Sequence, residues 1–101
     1  MEQVRTIEGE VDDMRERIGS DGANIVEMML NCGGNKEKVQ AFAEKAKTLS
    51  ALYEKMKGLA SKNGLGHIRD LKVKVEVTGI VKQQSANKDI IVTAIKIAGG
   101  G

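Results

Sequence analysis

Val39, Phe42, Ala46, Leu49, Tyr53, Met56 and Ala60 recur at alternating intervals of three and four, the strongest periodic signal in the chain. Such spacing returns side chains to one face of an α-helix. It predicts a long helix over about 36–62, with Asn35 as its cap and Asn63-Gly64 as its end. The a/d rhythm marks a coiled-coil seam, and Leu52 and Leu59 widen it toward a bundle face.

Upstream, Val4, Ile7, Val11, Met14 and Ile18 follow the same rhythm. They predict a first helix through Ile18, interrupted at Gly9 at a cost of about 1 kcal/mol relative to Ala. A strand through Val4–Val11 is the alternative, with Gly9 in a turn. After the break at Gly19-Ser20-Asp21-Gly22, Ala23–Cys32 reads as a short helix that is apolar on more than one side and ends at Gly33-Gly34.

The last third changes period. Leu71, Val73, Val75 and Val77 alternate with Lys72, Lys74, Glu76 and Thr78. That is a half-buried strand, and Gly79 is placed to make a bulge in it. Ile90–Ile97 is a second strand beyond the polar segment Lys82–Asp89. The predicted fold class is α+β: two or three helices, then an antiparallel β-hairpin over about 70–82 and 90–97. One domain is expected over 1–98, with 99–101 a flexible glycine tail. The terminal glycines resemble the exposed diglycine of ubiquitin-like proteins over the last few residues only, and this element order does not match a β-grasp.

A core for such a chain is thin. Phe42 and Tyr53 are the only aromatics, and there is no Trp, so side chains that bury roughly 150–250 Å² each are nearly absent. An isolated hairpin is marginal and its open edges invite pairing. Both points predict a homo-oligomer, most simply a dimer, joined through Val39, Phe42, Ala46, Leu49, Tyr53, Met56, Val73, Val75 and Val77. Charge is divided along the chain. Residues 1–35 carry eight acids against three bases, and residues 36–101 carry thirteen bases against six acids. One half can therefore attract the other, within or between chains.

The inventory for catalysis is sparse. His67 is the only histidine, so a triad or a histidine-based metal site cannot be assembled. Cys32, the single cysteine, rules out an intrachain disulfide and lies at a predicted helix end, where a structural thiol is expected. The acids around Asp12-Asp13 lack the spacing of a calcium loop and read as a solvated face. Gly64-Leu-Gly66-His-Ile-Arg69 has Arg69 at the third glycine position of a dinucleotide fingerprint and follows a predicted helix, so it is rejected. No enzyme, cofactor or metal is expected.

The remaining expectation is binding: an adaptor, scaffold or inhibitor of another macromolecule. Two alternatives rest on His67, Arg69, Lys72, Lys74, Lys82 and Lys88. A basic hairpin suits nucleic-acid phosphates, and the same residues suit a small anion such as a nucleotide at a subunit interface. No segment approaches the ~20 apolar residues of a membrane span, and no signal peptide is visible. A cytoplasmic location, of a cell or an infected host, is the expectation.

Overall fold

The computed structural model describes the backbone of residues 3–84 and 87–99, and the side chains of 3–82 and 90–98. Strands dominate: β1 (Gln3–Ile18), β2 (Asn24–Cys32), β3 (Asn35–Phe42), then helix α1 (Ala43–Lys62), a 3-10 turn at Ile68–Leu71, β4 (Lys74–Gln84) and β5 (Asn87–Gly99). The strands close a barrel in the order β1-β2-β3-β5-β4, with β4 returning to β1. Pairing is antiparallel except between β3 and β5. That seam joins Val39 to Ile90 and Gln40 to Ile91 among the described residues.

This overturns the expectation of helices followed by a C-terminal hairpin. The first helix is β1, the second is β2, and residues 36–42 of the third are β3. Each error has a local cause. In β1 the register shifts between Val11 and Asp13. Ile7, Gly9 and Val11 face inward at period two, and the extra residue makes Met14 the next inward side chain. The buried set Ile7, Val11, Met14 thereby acquires the +4, +3 spacing of a helix. Val4 and Ile18, which completed the stripe, are 70% and 71% exposed. Gly33 and Gly34 do not end a helix. They have φ of 62° and 98° and form the two-residue turn of the β2–β3 hairpin, where Cys32 pairs with Asn35.

Helix α1 begins at Ala43, itself at φ 52°. Ala46, Leu49, Met56 and Ala60 are its buried residues. They reach a core built from Val11, Val26, Met28, Leu30, Val39, Val75, Val77 and Ile90. The C-terminus of α1 ends as expected, with the Asn63 amide donating to the Leu59 carbonyl at 3.1 Å and Gly64 at φ 71°.

The expected assembly seam is corrected by the same packing. Val39, Ala46, Leu49, Met56, Val73, Val75 and Val77 are buried inside the chain. Tyr53 packs against that core, half buried, and Phe42 is 37% exposed. A barrel offers α1 the same apolar surface that a partner helix would, so the period of the stripe does not distinguish them. β4 and β5 are antiparallel neighbours, but as two staves of the barrel. Gly99 is the last residue of β5, opposite Lys74. The rest of the expected tail, 100–101, lies outside the described residues.

Candidate functional site

The β1 bulge also decides which side chains reach the surface. Beyond it, Asp13, Arg15 and Arg17 face outward, alongside the outward residues of β2 and β3. The register sets them in rows across three strands: Arg17, Ile25 and Phe42; Arg15, Glu27 and Gln40; Asp13, Met29 and Lys38; Glu10, Asn31 and Lys36. The resulting face combines four strand-borne cations, Arg15, Arg17, Lys36 and Lys38, with an exposed aromatic ring at one end.

Glu27 sits at its centre, its side chain 16% exposed. It accepts a hydrogen bond from Gln40 Nε2 at 3.2 Å, and Arg17 and Lys38 approach at 3.5 and 3.8 Å. Gln40 is itself buried, and this bond gives its amide nitrogen a partner. At the bulge, Lys36 Nζ lies 2.9 Å from Asp12 and Arg69 Nε lies 4.0 Å away. The Lys36 ammonium, hydrogen-bonded to the Asp12 carboxylate, holds that carboxyl below the usual aspartate range; partial burial opposes this, and the charges of Lys36, Arg69 and His67 add to it. His67 Nε2 is 3.5 Å from Asp13, and His67 Nδ1 accepts the Arg69 backbone N–H at 3.1 Å. The Arg15 side chain makes no ion pair or hydrogen bond among the described residues. Beside it an open cleft of about 240 Å³ is lined by Asp13, Arg15, Glu27, Met29 and Lys38 over the buried Met14 and Met28.

The structure does not gather the expected basic set into one patch. His67 and Arg69 come together at the bulge, but against Asp12 and Asp13. An anion captured there would have to displace two carboxylates, so the expected small-anion site is not formed by this pair. Lys72 is exposed, in left-handed backbone after the 3-10 turn. Lys74 is on the β1–β4 wall, 3.9 Å from Glu8. Lys82 is exposed near the end of β4, and the Lys88 side chain lies outside the described residues.

Arg15, Arg17, Lys36, Lys38 and Met29 were not among the expected contacts. A usable signal was present in β3, where Lys36, Lys38, Gln40 and Phe42 alternate with Glu37, Val39 and Ala41. On the inner side of the same strands, Cys32 is half-buried. Burial pushes its thiol up, Glu37 adds to the rise, and Arg5, 3.9 Å from Glu37, opposes it. Among the described residues no His, Cys, Asp and Glu group could hold a metal ion, and no helix is long and apolar enough to cross a membrane.

No family model and no curated protein matches the sequence. Solved structures do match the fold. The mitochondrial single-stranded DNA binding protein of S. cerevisiae superposes with a TM-score of 0.71 at 11% identity, over 100% of both chains. The second single-stranded DNA binding protein of Mycobacterium smegmatis gives 0.67 at 14% identity, over 97% of this chain and 90% of that one. The second OB-fold domain of replication protein A from Methanococcus maripaludis gives 0.54 at 20% identity, over 92% and 81%. The shared architecture is the OB-fold, a five-stranded Greek-key barrel.

Proposed function

We propose that this chain binds single-stranded nucleic acid across the outer face of β1, β2 and β3, as a binding protein and not an enzyme. The observation that carries the reading is the row structure of that face. Cationic side chains from β1 and β3 flank a shallow cleft whose floor is β2, and Phe42 stands half-exposed beside them. Single strands are held by cations that track phosphates and by rings on which bases stack. The β2–β3 surface is also where OB-folds generally take oligonucleotides, and single-stranded DNA binding proteins are among the solved structures sharing this architecture. The nucleic-acid alternative expected of the basic hairpin is thus carried by β1–β3 instead.

The face has few rings, so charge supplies most of the affinity. Binding of a labelled oligothymidylate, followed by fluorescence anisotropy, should weaken steeply with salt, with a log–log slope of about −0.7 per phosphate neutralised. Phe42→Ala should cost about 1–3 kcal/mol, the range for loss of one stacked base. Absence of binding at low salt, or binding unaffected by both Phe42→Ala and Arg15→Glu, would refute the proposal.

Self-association is a second reading, moved to a different surface. Beyond Ile91 no described strand pairs with the second edge of β5. Ile97 is 57% exposed there, and Ile95 and Ile97 line a groove with Leu52 and Thr48 of α1. A second copy pairing through that edge would cover both. Sedimentation of the protein as a monomer at micromolar concentration would remove this reading.

A further inference from the structure

We infer that the cleft on the β1–β2–β3 face selects guanine, the Asp13 carboxylate taking its N1–H and N2–H edge and the Arg15 guanidinium its O6 and N7 edge. The inference rests on the reading of this face as a single-strand track. It begins from an anomaly. A surface that only followed phosphates would gain by excluding carboxylates, yet Asp13 and Glu27 both line the cleft.

The two acids are not equivalent. Glu27 is engaged by Gln40, Arg17 and Lys38. Asp13 is held in place on one side and open on the other. Its Oδ1 accepts the Met14 backbone N–H at 2.9 Å and has His67 Nε2 at 3.5 Å. Its Oδ2 has no partner among the described residues, and the Asp13 side chain is about half exposed. Arg15, two residues along, is the cation on this face without a described partner. The cleft therefore pairs one open acceptor group with one open donor fork, about 6.8 Å apart along the strand.

That pairing matches one base. Guanine carries two adjacent N–H donors on one edge, to meet the two oxygens of a carboxylate, and two adjacent acceptors on the other, to meet an arginine fork. Adenine, cytosine and thymine each lack the pair of adjacent donors. Met29 lies opposite Asp13 in the register and lines the cleft. It supplies a polarizable thioether for contact with a purine ring. The volume of about 240 Å³ is below the roughly 300–1,000 Å³ of sites for drug-sized ligands, which suits a single nucleobase.

The test is competition. Short oligothymidylate, fluorescently labelled, is displaced by unlabelled strands in which central thymidines are replaced by guanosine, adenosine or cytidine. Inosine, which lacks the N2 amino group, and 7-deazaguanine, which lacks N7, change the ligand while leaving the protein intact. The guanosine strand should compete about ten-fold better than the others, the range expected of one good bidentate contact. Inosine and 7-deazaguanine should each lose most of that advantage. Asp13→Asn should abolish it, read as the ratio of guanosine to thymidine competition within the variant, so that a change in overall affinity does not enter. Equal competition by all strands, or a guanine preference unmoved by inosine and by Asp13→Asn, would overturn the inference and leave the proposed function standing. Failure to bind any oligonucleotide would overturn both.

Discussion

Gly79→Ala tests the barrel at its narrowest joint. A Cβ on Gly79 would lie 2.5 Å from the Ile91 carbonyl oxygen and 2.6 Å from Ile90 Cγ2. The first obstacle is backbone and cannot rotate away. To restore ordinary contact, β5 must withdraw by the better part of an ångström from a strand spacing of about 4.8 Å. Ile90 and Ile91 are also the residues through which β5 meets β3 at Val39 and Gln40, so the displacement falls on the seam that closes the barrel. Overpacking a tight interior costs about 1–3 kcal/mol, and the strained closure places this substitution at the upper end, about 3 kcal/mol. For a chain of this size each kcal/mol moves Tm by about 4–8 °C. Urea denaturation followed by far-ultraviolet circular dichroism measures the loss directly, with Tm as a second reading. Unchanged stability would refute the account of Gly79 and show that β5 is not held against β4 as described.

Gly58→Ala should have the opposite sign, because its Cβ meets nothing within 4 Å in the middle of α1; the same denaturation assay should show a gain of about 1 kcal/mol. Asp12→Asn should lower stability by at most about 1 kcal/mol near neutral pH, since the Lys36 partner is half exposed. Because the folded carboxyl is depressed by Lys36, the contribution is present above the ordinary aspartate range near 3.9 and disappears as pH falls through the folded value. Stability curves of the two proteins should therefore converge in acid, and a gap that persists there would refute the pairing. Cys32 should alkylate more slowly than a free thiol near neutral pH, because burial and Glu37 raise it. Glu37→Gln should speed the reaction with iodoacetamide, and an unchanged rate would remove Glu37 from the explanation.

The parts of this fold legible in the sequence are those whose period survives any context. The buried stripe Ala46, Leu49, Met56 and Ala60 is a helix face whether a barrel or another helix covers it. The alternation Val73, Val75, Val77 is a strand face in any sheet. Two coincidences hid the rest. Val39 and Phe42 fall in phase with the helix stripe although they point to opposite sides of β3, and the turn from strand to helix is made at Ala43, not at a glycine or proline. Ala23–Cys32 was apolar on more than one side because β2 is buried inside the barrel and Ile25 is also covered. The candidate site was harder to see for a related reason. A helix through Lys36 and Lys38 leaves nothing in their positions to connect them with Arg15 and Arg17. That connection exists only in the cross-strand register.

The extra residue in β1 behaves like a frameshift confined to geometry. Downstream of Val11, the choice between inside and outside for every side chain up to Ile18 depends on that one added position. Flatten the bulge with every residue kept, so that Asp12 takes an ordinary place in the ladder, and Arg15 and Arg17 would turn toward the barrel interior while Met14 turned to water. The composition of the strand would be unchanged, yet the face would lose its charged rows and the core would have to take in guanidinium groups. Deleting Asp12 together with the bulge would leave Asp13, Met14 and Arg15 opposite their present partners, whereas a residue added in the regular stretch beyond it should be poorly tolerated, and alignments of this strand that slide by one residue would compare opposite sides of the protein.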